Sequence, residues 1–99
     1  MIEVRHIFTD GVYAKRVSMQ AGDSFSKHRH SFDHLSIVAK GMIAVKCEGE
    51  EMIYSSGDDV CISAGVEHEI EAITNAVWFC IHATDEKDPD NIDHVLIGD

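Results

Sequence analysis

Three closely spaced histidines and one distant histidine are the residues of this sequence best suited to chemistry. His28, His30 and His34 lie within the stretch GDSFSKHRHSFDHLSIVAKG, residues 22–41, and His68 lies in the later stretch GDDVCISAGVEHEI. Side chains alternate between the two faces of a β-strand, so His28 and His30 share a face, and His34 keeps the same parity beyond an intervening turn. Neutral imidazole is the commonest protein ligand for divalent transition metals. The spacing therefore predicts a mononuclear metal site.

The two stretches resemble the two sequence motifs of the cupin family. The first motif, G-x5-H-x-H-x3-4-E-x6-G, is matched in register by Gly22, His28, His30 and Gly41, with His34 in place of the glutamate. The second motif, G-x5-P-x-G-x2-H, is matched by Gly57, Gly65 and His68, with Ser63 in place of the proline. The resemblance implies an all-β fold, the cupin double-stranded β-helix or jelly-roll barrel, and a single cupin domain over residues 1–99.

The histidine at position 34 resembles the arrangement in small, four-histidine, manganese-type monocupins. That resemblance implies one divalent transition metal per chain, held by His28, His30, His34 and His68. Manganese and iron lead because cupins similar to this chain use them with dioxygen. Nickel, cobalt, copper and zinc stay open, since ligand softness alone does not choose among these ions. A degenerate, metal-free cupin is the alternative.

Length and charge limit the classes of partner. A chain of 99 residues has room for one small domain, and at this size oligomerisation and metal binding are expected sources of extra stability. The formal charge of −10 excludes nucleic acid and anionic membrane surfaces as partners, because little in the chain would neutralise phosphates. Three cysteines without a CxxC pair, and an N-terminal stretch without the apolar core of a signal peptide, predict free thiols and a cytoplasmic protein.

Alternating apolar and polar residues predict β-strands along most of the chain, and no segment has a convincing helical period. We expect N-terminal strands within about residues 1–20, a solvated acidic loop over 84–93, and a C-terminal strand over 94–99. That last strand would pair either with its own barrel or with a neighbouring subunit. In the strand that contains His68, glutamates occupy one face, so His68 is predicted to lie on the inward face.

The segment Ala76–Ala83 is apolar on both faces, which predicts cover from a second subunit and hence a homodimer. By resemblance to the family, Phe79 and Ile81 are expected to line the cavity beside the metal, and Trp78 to face outward toward the partner. Phe32 is expected at the mouth of the pocket. The three remaining histidines are interpreted as structural or exposed residues: His6, His82 and His94.

Three functional classes remain open, and no catalytic residue is assigned. The first is a mononuclear metal-dependent oxidoreductase, such as a dioxygenase, acting on a small molecule. The second is a metal-dependent lyase or isomerase of a small acid or sugar-like substrate, with the metal as Lewis acid. The third is a non-catalytic ligand-binding cupin. Four neutral ligands would leave the full charge on the metal, so the small-molecule substrate or ligand is expected to be anionic.

Overall fold

Nine β-strands make up the computed structural model of this protein. The structure describes residues 2–28, 34–62 and 65–88, with the backbone alone for residues 26–28, 34 and 62. The strands are β1 (Glu3–Phe8), β2 (Val12–Met19), β3 (Ser24–His28), β4 (His34–Lys40), β5 (Met42–Cys47), β6 (Glu50–Ser55), β7 (Asp59–Ile62), β8 (His68–Ala72) and β9 (Ala76–Ala83).

The strands form two antiparallel sheets that face each other. The first sheet, sheet A, has the order β1-β2-β9-β4-β7, and the second, sheet B, has the order β3-β8-β5-β6. The chain repeatedly crosses from one sheet to the other, as in a jelly roll, and the described residues contain no helix. The predicted all-β jelly-roll fold is confirmed. Across those same residues, no helix is long and apolar enough to cross a membrane.

The apolar core lies between the sheets and fills one end and the middle of the sandwich. Trp78, 3 % exposed, stands near its centre with its ring edge toward Phe25 of the other sheet, at a centroid distance of 5.9 Å and an interplanar angle of 74°. This geometry is one that aromatic pairs favour, and it joins the two sheets through two large aromatic side chains. The buried residues packed into this cluster are Val17, Met19, Val38, Ile43, Val45, Val60, Ile70, Ala72, Ala76, Trp78 and Cys80.

The inward face of β9 is the reverse of the one expected from the sequence. Trp78 and Cys80 are 3 % and 4 % exposed and belong to the core, whereas Phe79 and Ile81 are only partly buried and lie on the outer face of sheet A. The prediction that Phe79 and Ile81 line the cavity is therefore wrong, as is the outward placement of Trp78. Burial of the indole removes more apolar surface from water than burial of either alternative, so the larger ring decides the face.

Gly41 closes the end of the sandwich at which Met19, Ile43 and Ala76 lie, here called the apolar end. Its φ is +78°, and a Cβ at this position would collide with the backbone carbonyl oxygen of Asn75 and lie 2.7 Å from Thr74 Oγ1. The neighbouring Met42 amide donates a hydrogen bond to that same Oγ1 at 3.0 Å. Only glycine allows both the left-handed backbone and this close approach of the β8–β9 turn.

Of the predicted acidic loop over 84–93, the structure describes residues 84–88, which lie outside the strands. Lys87 Nζ contacts Asp10 Oδ1 at 2.6 Å, which ties this segment to the β1–β2 turn. The ion pair is highly exposed and contributes little to stability. The rest of the loop, the C-terminal strand predicted over 94–99 and His94 lie outside the described residues.

Candidate metal centre

His68 is the first residue of β8 and is buried at the opposite end of the sandwich from Gly41, here called the histidine end. The side chain is 1 % exposed, which confirms the inward facing predicted for it. Its Nδ1 atom lies 3.2 Å from the carbonyl oxygen of Val66. A carbonyl can only accept, so Nδ1 carries the hydrogen and the lone pair resides on Nε2, which is itself buried. This tautomer is the one that a metal ligand needs when it binds through Nε2.

The backbone places His28 directly opposite His68. The register of β3 and β8 pairs Phe25 with Ile70 and His28 with His68, with an irregularity between the two pairs. Phe25 packs against the core, and strict alternation would put a residue three positions later on the opposite face. The bulge adds one residue to β3 between these pairs, so positions 25 and 28 both lie opposite inward residues of β8, Ile70 and His68. Bulges commonly have this re-aiming role beside functional sites.

The strand β4 brings position 34 to the same end of the sandwich. Ser36 and Val38 are 4 % and 0 % exposed, whereas Leu35 and Ile37 are exposed, so the even positions of β4 form its inward face. His34 has that parity. The five residues 29–33 join the end of β3 to the start of β4, which keeps positions 28 and 34 at one end of the two sheets.

The remaining predicted site residues have no structural description. His30 and Phe32 lie outside the described residues, and the side chains of His28 and His34 are not described. Among the side chains that are described, no three histidine, cysteine, aspartate or glutamate residues group closely enough to hold a metal ion. The structure thus places the backbones of three of the four predicted ligands, residues 28, 34 and 68, at one end of the sandwich. Of these three, only His68 has a described side chain.

Two further histidines, His6 and His82, lie at this end, although a structural or exposed role was expected for both. Continuing the register of β4 with β9 by one residue beyond Leu35 and Ile81 sets His82 beside position 34. On its other side His82 pairs with Tyr13, whose side chain is fully buried. Burial lowers the pKa of the His82 imidazole from its usual value. The parity that His82 shares with Trp78 is the signal that would have identified it, once the inward face of β9 was known.

The phenol of Tyr13 is held by His6. The distance from His6 Nδ1 to Tyr13 Oη is 2.5 Å, and the two rings stack with centroids 5.8 Å apart. Phe8 packs on the same phenol at a centroid distance of 5.2 Å. This triplet fills the histidine end on the β1–β2 side, where a buried hydroxyl and an imidazole form a couple able to hold a proton.

Acidic side chains surround the outer approach to His68. A cavity of about 450 Å³ at the tip of the β5–β6 hairpin reaches His68 and is otherwise lined by Lys46, Glu48, Gly49, Glu50, Glu51, Glu67 and Glu69. Five carboxylates against one ammonium make this approach unfavourable for an anion and attractive to a cation.

The thiols of the site region are in their neutral form at neutral pH. Cys47 pairs with His68 in the register of β5 and β8, and burial, followed by the charge of Glu48, raises its pKa. Burial raises the pKa of Cys80 to about 12, and its Sγ lies 3.6 Å from Ser36 Oγ. All three cysteines are free, as predicted, and Cys61 is exposed.

Comparison with known proteins agrees with this architecture. The structure is similar to a cupin superfamily protein from Desulfitobacterium hafniense, with a TM-score of 0.77, 17 % identity, and coverage of 86 % of this chain and 79 % of the other. It is similar to KdgF from Halomonas sp., with a TM-score of 0.76, 22 % identity, and coverage of 88 % and 81 %. It is also similar to a putative ethanolamine utilization protein Q from Salmonella typhimurium, with a TM-score of 0.74, 20 % identity, and coverage of 86 % and 71 %.

No curated protein sequence matches this chain significantly. The solved structures share less than a quarter of their residues with it, so their likeness establishes the fold and leaves the function to the site. The cupin-domain model Cupin_2 matches residues 15–82, which run from the middle of β2 almost to the end of β9. That match covers more than half of the sequence and includes both histidine stretches, and it shows that the chain belongs to the cupin family.

Proposed function

We propose that the protein binds one divalent transition metal per chain through His28, His30, His34 and His68, with manganese or iron as the native ion. The observation that carries this proposal is the pairing of position 28 with a fully buried His68 whose tautomer leaves Nε2 as the lone-pair nitrogen. The inward parity of position 34 supports it. Donors of this kind fit a first-row metal, and the hydrogen bond from Nδ1 to Val66 would orient the ring for ligation.

With the metal bound, the protein would act as a mononuclear metal-dependent oxidoreductase, such as a dioxygenase, on a small molecule. The ion would supply Lewis acidity and redox chemistry at coordination positions that the protein leaves open. The protein's own contribution is to orient the imidazoles through the β3 bulge and to exclude water with the packed rings of Phe8 and Tyr13.

A metal-dependent lyase or isomerase is the second candidate, and the couple of Tyr13 and His6 favours it. Both reactions move a proton, and a phenol 2.5 Å from an imidazole nitrogen can hold or deliver one. Oxygen consumption coupled to substrate loss in the presence of manganese or iron would support the oxidoreductase. Equal turnover with redox-inert Zn²⁺ would support the lyase or isomerase, and tight ligand binding without turnover would support a binding module.

The metal site is tested by elemental analysis of protein purified without a polyhistidine tag. We expect close to one first-row metal per chain, and His68→Leu should lose most of it. Manganese at 100 times its dissociation constant should stabilise the wild type by about 2.7 kcal/mol, or about 10–20 °C in a domain of this size, and should leave His68→Leu unchanged. His94→Leu is the matched control and should behave as the wild type. Wild-type protein that stays metal-free after supplementation would refute the proposal.

We further propose that the chain forms a homodimer through the outer face of sheet A. Leu35 and Ile37 are 38 % and 39 % exposed there, beside the partly buried Val77, Phe79 and Ile81. A patch of this kind is typical of protein interfaces. Ile37→Glu should yield a monomer in light scattering, whereas Ile53→Glu, an equally apolar and 55 % exposed position on sheet B, should not. Unchanged mass for Ile37→Glu would contradict this interface.

The three free cysteines support a reducing compartment, and we propose the cytoplasm as the site of action. Localisation of a fluorescent fusion of the full chain, with fractionation as a second readout, tests this proposal. Recovery of the fusion from an oxidising compartment would contradict it.

A further inference from the structure

Lys15 is a charged residue on the inward face of sheet A. It lies between Tyr13 and Val17 on β2, both of which are 0 % exposed, and it is itself only partly exposed. Across the sheet it pairs with the buried Cys80 on one side and with His6 on the other. Its Nζ lies 5.9 Å from the ring centroid of Phe25, which belongs to β3 of the opposite sheet. The ammonium therefore projects into the space between the two sheets.

A lysine in this position is costly unless its charge is used or compensated. Lysine is rarely buried, and moving an ammonium away from water is unfavourable. Among the contacts of Lys15, the face of Phe25 compensates this cost through a cation–π interaction. The charge also lowers the pKa of the neighbouring Cys80 thiol, against the larger opposing effect of burial, so it is felt inside the sandwich. In a chain with 18 acidic and 8 basic residues, a basic group here stands out from the acidic surface.

The position of Lys15 suits a small molecule that also reaches the proposed metal ligands. Position 34 shares a row with His82 and Tyr13, two strands away from β2. Strands are spaced by about 4.8 Å, and two residues along β2 add about 6.8 Å, so the Cα atoms of residues 15 and 34 are about 12 Å apart. The Lys15 side chain extends toward Phe25 of the opposite sheet and not along sheet A, so a molecule held by the ammonium has to span most of this separation itself. A separation of this size matches a short organic acid that reaches from the ammonium toward a metal ion bound through the histidine side chains.

The groups beside Lys15 can also recognise an anion. The Tyr13 hydroxyl lies one inward position away on the same strand. When His6 Nδ1 donates to its oxygen, the phenol hydrogen is left to donate to a carboxylate beside the ammonium. The carboxylates that line the outer cavity next to His68 repel an anion, so they cannot contribute affinity for a carboxylate ligand. An anionic ligand would therefore have to be recognised by inward groups such as Lys15 and the Tyr13 hydroxyl.

We propose that Lys15, with the Tyr13 hydroxyl beside it, binds the carboxylate of a small organic acid whose other end reaches the ion held by the histidines. This inference rests on the proposed function and assigns its substrate class. Lys15 acts here as a specificity-determining residue that holds the substrate by charge and leaves the histidine ligands unchanged.

Calorimetric titration with malonate, a short dicarboxylate, tests the proposal on the full chain loaded with manganese. Lys15→Met should weaken malonate binding at least tenfold, and Lys15→Arg should restore most of the affinity because the positive charge returns. Malonamide, which lacks the charge, should bind equally weakly to all variants. Lys46→Met is the matched control, since Lys46 is an exposed lysine on β5 that lies 4.0 Å from Glu71, and it should bind malonate as the wild type does.

Metal content and thermal midpoint, measured on each variant, separate this proposal from the metal site itself. Lys15→Met should keep the metal content of the wild type, which a change in the ligands would not. Equal malonate affinity of Lys15→Met and the wild type at equal metal content would overturn the role of Lys15, as would absence of malonate binding to the loaded wild type. If the wild type holds no metal, the proposed function fails, and the same titration on the metal-free chain still decides whether Lys15 binds the carboxylate.

Discussion

Substitution of Gly41 by alanine offers a quantitative test of the packing at the apolar end. The left-handed backbone at φ +78° costs a residue with a Cβ about 1–2 kcal/mol. The new Cβ would also push the β8–β9 turn away, because it meets the Asn75 carbonyl oxygen and Thr74 Oγ1. Two hydrogen bonds of that turn would then weaken: Met42 N to Thr74 Oγ1, and Ala21 N to Asn75 Oδ1, each 3.0 Å long. At about 0.5–1.5 kcal/mol each, the total loss is about 2–5 kcal/mol.

Gly22→Ala is the matched control for this experiment. Its φ of +91° imposes the same kind of backbone strain, but nothing lies within 4 Å of a Cβ at that position. We therefore expect a loss of only about 1–2 kcal/mol. Urea unfolding of the metal-free protein, followed by the fluorescence of the single, buried Trp78, measures both variants. Equal losses for Gly41→Ala and Gly22→Ala would refute the argument that close approach of the turn requires glycine at position 41.

Three further predictions concern the burial of side chains on and beside β9. Trp78→Ala should destabilise the protein by about 3–5 kcal/mol and Phe79→Ala by clearly less, as measured by urea midpoints. A larger loss for Phe79→Ala than for Trp78→Ala would indicate that Phe79, and not Trp78, faces the core. In native protein at pH 8 a thiol reagent should modify the exposed Cys61 quickly and leave Cys80 intact, since a pKa of about 12 keeps Cys80 protonated; fast labelling of both would contradict its burial. Burial lowers the pKa of His82, so below pH 6.5 the folded state binds fewer protons at this residue than the unfolded state. The free energy of unfolding of the metal-free protein should therefore be full above pH 6.5 and fall as the pH drops through the lowered pKa of the folded state. His82→Phe should flatten that pH dependence.

The all-β class and the positions of the strands along the chain could be predicted from the sequence, because alternation is a local signal. The strand that begins at His68 illustrates this, since its glutamates mark the wet face and leave only one face for the core. The family resemblance predicted the jelly-roll arrangement through its motif glycines. Gly22, Gly41 and Gly57 lie at turns next to strands, where the backbone takes a positive φ.

The facing of β9 could not be predicted, because both of its faces are apolar and alternation gives no sign of which one is inward. Trp78 and Phe79 are both large and apolar, so the facing is fixed only when the neighbouring strands β2 and β4 are placed and the larger indole takes the core side. The same uncertainty concealed His82, which shares the parity of Trp78. A bulge such as the one between Phe25 and His28 is likewise invisible to a strict period of two, although it decides which residues of β3 face inward.

The inward facing of Lys15 could not be predicted from the sequence for a related reason. A charged residue is assigned to the solvent face by default, and only the burial of Tyr13 and Val17 on either side reveals that it lies inside. Residues that break the pattern in this way are often functional, because a fold tolerates the cost of a misplaced charge where it serves a purpose.

The division of the sandwich into an apolar end and a histidine end has a consequence for how such a protein can change over evolutionary time. Most of the burial that stabilises the fold lies around Trp78 and toward Gly41, away from His68. Lys15 and His82 are not part of that cluster, so exchanges at these two positions draw on a smaller share of the folding free energy than exchanges within it. On the proposed function, changes of ligand preference can accumulate at these positions while the buried cluster keeps the chain folded, in keeping with the many functions that one fold can carry.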